Sequence, residues 1–403
     1  MEKAHRPTFI DMAVSNRKII VVGAGLGGLT LALSLIRAGF EVTVLEQASR
    51  LGEVGAGIQI SANGARVLHA LGLAEALDAV AFRPVRGEVR HWQTGETLIT
   101  RPLGDASVER FGYPYYHLHR ADFHRVLEST VRAAQPDAVR LDARVEQIEH
   151  DGEGVRAVLA SGDIYTGDVL IGCDGIHSRV RQTLFGPDAP RFTGCIAWRA
   201  TIPVERLPEG YVRPVASNWI GRGGHFVHYY LRRGTLVNCV GVLEGQDWTA
   251  ESWSAEGEKR DFLADFADWH DDLKVLMRAS ERCFRWGLFD RDPMPRWDWG
   301  RISLLGDACH PMLPFMAQGA VMSLEDAYTL TRCLQENVDP ANALLRYEDL
   351  RRERTAIVQR MARENMSFFH DPDVDDLEQR LNSHRDAHMW LYGFDVTDQE
   401  FAV

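Results

Sequence analysis

The residues best suited to chemistry in this sequence sit in a few short stretches. Gly23-x-Gly25-x-x-Gly28 follows the apolar run from Ile19 to Val22. The first glycine allows a tight turn, the second lets the backbone approach a pyrophosphate, and the third lets a helix lie close to the strand with its N-terminus facing the anion. Glu46 ends the next apolar run about 20 residues on, where a carboxylate can accept a ribose hydroxyl. CDGIHSRVR around Asp174 and LLGDACHP around Asp307 share another design: a short apolar strand, a turn containing Asp and Gly, and a helix behind it. Alone, each is only a turn. GHFVHYYL sets His225 and Tyr229 four residues apart, on one face of a strand because side chains repeat every two residues. A histidine, titrating near ~6.5, could draw a proton from a phenolic ligand. A core histidine bonded to a tyrosine would show the same spacing.

The elements that must position these groups follow from periodicity. Ile19 to Ile36 is apolar enough to suggest a membrane span. Its glycines divide it instead into a strand, a turn and a helix from about Leu26 to Ala38, closed by Gly39 before a strand from Glu41 to Leu45. Further helices are expected from Ala62 to Leu71, from Asp122 with Phe123, Val126, Leu127 and Val131 on one face, from Ser178, from about Gly319 to Leu334, and through ANALLRYEDLRRERTAIVQRMARENMSFF. Arg120, just ahead of its helix, could reach a phosphate or a flavin edge, or simply be solvated. Residues 86–101 read as hairpin strands and 186–285 as an antiparallel sheet. The expected fold is α/β: a discontinuous Rossmann-like domain (16–80, 105–185 and 286–340), an interrupting α+β part built on an antiparallel sheet (81–104 and 186–285), and a helical segment (341–403) that packs on the body or on another subunit.

Composition narrows the partners. Forty-five basic against 57 acidic residues leave a formal charge of −12, which disfavours nucleic acid and anionic membrane and favours a small ligand. The six cysteines are scattered without a C-x-x-C pair, so no metal site is expected. With no signal peptide read at the N-terminus, a reducing cytoplasmic setting is the expectation.

In order, GAGLGG, CDGIHSRVR and LLGDACHPMLPFMAQGAVMSLEDA resemble the three motifs of the single-component FAD-dependent aromatic hydroxylases, over Lys18 to about Val358. The resemblance implies FAD extended across the fold, with Gly23, Gly25, Leu26 and Gly28 at the first turn, Glu46 and Gln47 toward the adenosine, and Arg120 and Asp174 also among the cofactor contacts. It places Asp307 on the ribityl chain and Gln318, Gly319 and Ala320 at a helix N-terminus aimed at the pyrimidine side, where negative charge is stabilised. Pro314 and Phe315 would line the substrate side. Many members carry Gly-Gln-Gly-x-Asn, whereas this chain has Ala317-Gln318-Gly319-Ala320-Val321 and lacks the asparagine amide. Apolar variants occur among the hydroxylases of salicylate, 3-hydroxybenzoate and 6-hydroxynicotinate, the branch this chain is most similar to. By that resemblance His225 and Tyr229 bind or deprotonate the substrate. The implied reaction uses NADH or NADPH and O2 to hydroxylate a small phenolic or hydroxypyridine carboxylic acid through a flavin hydroperoxide, with or without decarboxylation. A single glycine fingerprint implies that the nicotinamide has no Rossmann domain of its own. A halogenase or reductase on the same fold, or a non-catalytic flavin-binding sensor, stands as the alternative. A monomer or homodimer, without nucleic acid or membrane, completes the expectation.

Overall fold

A computed structural model describes residues 17–52, 57–245, 255–371 and 377–403. The first strand, β1 (Lys18–Val22), is buried from Ile19 onward, as a parallel strand covered by helices on both faces must be. It feeds α1 (Leu26–Arg37) and β2 (Glu41–Leu45), one residue short of the helix end expected from the sequence. β3 (Gly57–Ile60), α2 (Ala62–Ala70) and α3 (Ala74–Asp78) follow, then the hairpin β4 (Arg86–His91) and β5 (Thr97–Pro102), α4 (Gly104–Phe111), β6 (Tyr116–His119) and α5 (Arg120–Ala134). Arg120 is thus the first residue of its helix rather than ahead of it.

β7 (Val139–Arg140), β8 (Val145–His150), β9 (Val155–Leu159), β10 (Ile164–Gly167) and β11 (Val169–Gly172) lead to α6 (Arg179–Phe185), capped by the Ser178 hydroxyl, which accepts from Arg181 N. β12 (Arg191–Pro203), β13 (Val215–Gly221), β14 (Gly224–Leu231), β15 (Leu236–Glu244), β16 (Glu256–Gly257), α7 (Lys259–Asp265), α8 (Asp271–Ala279) and β17 (Cys283–Asp290) come next. β18 (Asp298–Trp299), β19 (Ile302–Leu304), α9 (Gly319–Glu336), α10 (Pro340–His370) and α11 (Leu377–Tyr392) end the chain.

A six-stranded sheet, ordered β18-β19-β11-β1-β2-β7, explains how motifs far apart in sequence meet. β1, β11 and β19 run parallel, with Val22 opposite Gly172 and Gly172 opposite Leu304. The turns that follow them, at Gly23, Asp174 and Gly306-Asp307, therefore leave the same sheet edge at the same level, the place where ligands bind in open parallel sheets. The turns touch. Gly23 has a φ of +100°, and a Cβ there would lie 2.6 Å from the Cys173 carbonyl oxygen. A Cβ on Gly28 would lie 2.0 Å from the Gly23 carbonyl oxygen, which is the close helix approach the motif requires. Gly27, a variable position in the motif, is where a Cβ would meet Leu305 and Ser323 at 3.0 and 3.1 Å, so the N-terminal ends of α1 and α9 approach there.

The second large sheet, β16-β17-β12-β15-β14-β13-β4-β5, is antiparallel except where β13 runs parallel to β4. One face carries a separate aromatic core of Trp198, Trp219, Phe226, Phe262, Phe266 and Trp269 under α7 and α8. Its other face looks back toward the six-stranded sheet and lines a cavity. The C-terminal tail packs on the chain's own body, with Leu391, Tyr392, Val396 and Phe401 buried and Arg66 donating to the Phe394 carbonyl at 2.5 Å. No helix among the described residues is long and apolar enough to cross a membrane.

Because the Gly28 position has backbone rather than a flexible side chain in front of it, Gly28→Ala must displace the first turn. The expected cost is about 1–3 kcal/mol, the range for overpacking, read as a lower urea midpoint. Gly25→Ala, where nothing lies within 4 Å of a Cβ, should leave the midpoint of the protein without ligand nearly unchanged.

Candidate active site

The cavity at the meeting of the two sheets has a volume of about 930 Å³. Its floor is the alternating face of the eight-stranded sheet. His225, Val227 and Tyr229 of β14 point into it, beside Val240 and Val242 of β15, Ala197 and Arg199 of β12, and Asn218 of β13. Pairing sets the rows: His225 stands opposite Val242 and Val242 opposite Ala197, while Val227 stands opposite both Val240 and Asn218. The intervening residues, such as Phe226, belong to the aromatic core behind, so period-two alternation divides one strand between structure and site.

The roof is built from the three turns. Gly25, Leu26, Arg120, Asp307, Pro314, Phe315, Gly319 and Ala320, all singled out in the sequence, line the cavity. Asp307 and Arg120 are exposed, yet to this enclosed space. Burial accordingly pushes the Asp307 carboxyl up, opposed by His310 and Arg120, and pushes the Arg120 guanidinium down, opposed by Asp307. The N-termini of α1 and α9 open on the same space, each favouring negative charge.

Other sequence-nominated residues are not among those lining the cavity. Asp174 does not line the cavity: its carboxylate accepts from Ser178 Oγ (2.5 Å), Arg179 N (2.6 Å) and Val180 N (3.1 Å) and holds the second turn onto α6. Gln318 is buried, donating to Ser61 Oγ at 2.9 Å and accepting from Asn63 at 3.2 Å. Glu46 accepts from Ala24 N (2.8 Å) and Ala48 N (2.9 Å), with Gln47 exposed next to it. Val321 answers the missing amide: its methyl groups lie where a Cβ on Gly64 would be 3.1 Å away, so this position faces α2 rather than the cavity. An apolar residue fits it.

Burial, then His370, lower His225 well below the usual histidine value, so its ring is neutral and can accept a proton. Tyr229 is pushed up by burial and remains a phenol, its ring 4.3 Å from that of His117. Several lining groups carried no sequence signal beyond a polar residue in an apolar strand. Arg199 sits 5.0 Å over the Trp286 ring and is lowered to about 10 by burial and by Arg120. Asn218 keeps a buried Oδ1 with no partner among the described residues. Arg385, His388, Met389 and Tyr392 make α11 a wall of the cavity as well as a packing helix.

The Asp307 turn is held from below by a buried ion cluster. Asp326 accepts from Gly306 N (3.2 Å), contacts His310 Nε2 (2.5 Å) and accepts from Arg351 Nε (2.8 Å). Glu325 pairs with Arg351 (2.7 Å) and Arg354 (2.8 Å) and accepts from Asn63 of α2 (2.7 Å). Burial would raise both carboxyls. The surrounding partners outweigh it, Arg354 and Arg351 for Glu325 and His310 and Arg351 for Asp326, and both end below the usual range.

The family described as FAD binding domain matches residues 16–365. The chain is 42% identical over 385 residues to the 3-amino-4-hydroxybenzoate 2-monooxygenase of Streptomyces platensis, covering 94% of this chain and 96% of that protein. It is 35% identical over 383 residues to the 6-hydroxynicotinate 3-monooxygenase of Bordetella bronchiseptica, covering 94% and 95%. A solved salicylate hydroxylase substrate complex superposes with a TM-score of 0.81 at 27% identity, over 95% of this chain and 96% of that one.

Arg351→Met leaves Glu325 and Asp326 short of a buried cation and should cost about 3–5 kcal/mol at pH 7. Depressed carboxyls stabilise the fold above their unfolded values of about 4 and lose that contribution as pH falls through the lower folded values. The penalty of the variant should therefore hold from pH 7 down to about pH 4 and shrink as pH falls below about 4, measured as the difference in urea midpoints. A pH-independent penalty would mean that lost packing, not charge, is the cause.

Proposed function

The chain belongs to the FAD binding domain family and is an FAD-dependent aromatic-ring monooxygenase using NADH or NADPH and O2; we propose that its substrate is a small hydroxylated aromatic carboxylic acid. 3-Amino-4-hydroxybenzoate and the hydroxybenzoates come first among the compounds to test. The observation that carries this is a reversal of charge. In a protein of formal charge −12, the described lining residues include five arginines (Arg101, Arg110, Arg120, Arg199 and Arg385) against two carboxylates, Glu88 and Asp307. Glu88 is already engaged by Arg86 and Arg213. An anionic ligand with an apolar body suits such a wall.

The residues present fit FAD. Nothing crowds Gly25 on its cavity side, two helix N-termini face the space, and Asp307 and Arg120 both line it. In this reading Asp307 accepts a ribityl hydroxyl and Glu46, whose oxygens each keep a free lone pair, accepts a ribose hydroxyl. Asp174 and Gln318 act indirectly, by fixing the turns, and the six-stranded and eight-stranded sheets carry the cofactor and substrate parts respectively. Bound there, FAD would supply the oxygen-activating redox chemistry, with NADH or NADPH as reductant. His225 removes the proton from the ring hydroxyl through Nε2, since Nδ1 is engaged, which raises electron density at the carbon to be attacked. Tyr229, held protonated, hydrogen-bonds the same end of the substrate. The guanidiniums hold the carboxylate, and Val227, Val240, Val242 and Phe315 keep water from the reacting ring.

The test is NAD(P)H oxidation and product mass across phenolic and hydroxypyridine acids and their decarboxylated analogues. Acids should be hydroxylated, and analogues without the carboxylate should show a raised KM; equal KM values would remove the carboxylate from recognition. Asp307→Ala should weaken FAD retention about tenfold to a hundredfold, the scale of a hydrogen bond to a charged group, and full occupancy would take that role from Asp307. His225→Ala should slow hydroxylation by about 10²- to 10⁴-fold and divert reducing equivalents to hydrogen peroxide at unchanged FAD content.

A further inference from the structure

His225 does not end at the cavity wall. Its Nδ1 lies 3.0 Å from His370 Nε2, and His370 Nδ1 lies 2.9 Å from Glu244 Oε1. These groups come from three elements: β14, the last residue of α10 and the last residue of β15. The register accounts for the alignment, because His225 is opposite Val242, and Glu244, two residues farther, is on the same face. The helix end is pinned beside them, with Gly223 N donating to the His370 carbonyl at 2.9 Å. Exposure grades along the line. His225 is 3% exposed and borders the cavity, the His370 side chain is 3% exposed, and the Glu244 side chain is 56% exposed. Phe315 and Phe369, each with its ring centroid 5.0 Å from that of His225, close its flanks.

We propose that His225, His370 and Glu244 form a proton relay that carries the proton of the substrate's ring hydroxyl from the cavity to solvent. The proposal rests on His225 being the base. The hydroxyl O–H bond breaks and its proton goes to His225 Nε2. The Nδ1 proton of His225 passes to His370 Nε2, and the Nδ1 proton of His370 passes to Glu244, whose exposed carboxyl releases it to water. Neither ring holds net charge before or after. When the product oxygen takes a proton back, the same transfers run in reverse and restore both tautomers. Burial lowers both histidines, with His370 further lowering His225 and Glu244 partly raising His370, so both rings are neutral at pH 7, as such a chain needs. Of the other titratable groups packed there, Cys195 of β12, near Glu244, is raised by burial to about 11 and stays a thiol.

The experiment uses the FAD-loaded enzyme and the best substrate found in the acid screen. It compares Glu244→Gln, His370→Gln and His225→Gln for kcat, its pH profile, its solvent deuterium isotope effect and FAD content. The relay predicts that Glu244→Gln, at an exposed site, keeps FAD and KM but lowers kcat about tenfold or more. It also predicts an altered solvent isotope effect and partial rescue of Glu244→Ala by added formate. His370→Gln should do the same without rescue. If Glu244→Gln keeps kcat, pH profile and isotope effect while His225→Gln is impaired, the relay is wrong and the base assignment stands. If His225→Gln itself turns over normally, the base assignment fails, and the relay with it. Should His370→Gln lose FAD or fold poorly, Glu244→Gln decides alone.

Discussion

Two adjacent buried carboxylates, Glu325 and Asp326, hold the site together. A buried charge left without partners costs several kcal/mol, so the chain must bring cations and donors to them. It brings His310 and Gly306 N from the Asp307 turn, Arg351 and Arg354 from α10, and Asn63 from α2. These partners come from three parts of the site. The turn presents Asp307 to the cavity, α2 receives Val321, and α10 continues to Phe369 and His370 beside His225. A buried ion network of this kind is weak evidence for stability but a strong determinant of geometry, because few alternative arrangements satisfy every charge.

The second constraint is electrostatic. An acidic protein that lines one cavity with arginines concentrates its positive potential there. Low polarity there disfavours charge, so burial raises Asp307 and lowers Arg120 and Arg199. The histidines respond to the same environment by remaining neutral, and neutrality makes an imidazole a proton acceptor at pH 7.

Much was legible in the sequence because local rules act over short distances. Gly23, Gly25 and Gly28 announced a strand, turn and helix, and backbone geometry alone forces that reading once the third glycine must lie against the first. Two strands ending in Asp-containing turns were visible as apolar runs broken by Gly and Asp. His225 and Tyr229 shared a face by period two. The motif order named the family, and the FAD binding domain match over residues 16–365 agrees with it.

What lay beyond reach was every relation between distant segments. That Asp174 grips a helix rather than facing the cavity depends on which of its oxygens find N–H groups nearby. That Val321 faces α2, and that Gly27 is the close approach of two helices, depends on how α9 lies against α1 and α2. Arg199, Asn218 and the arginines of β5, α4 and α11 read as ordinary polar residues until the sheets enclosed a common space. Glu244 and His370 are 126 positions apart and meet only because β15 and α10 end at the same corner. Local sequence determines the turns and the faces of strands, since those follow from adjacent dihedrals and side-chain alternation. Which faces confront one another, and so which groups share a proton or a charge, was decided by burying the two sheets and α10 against each other.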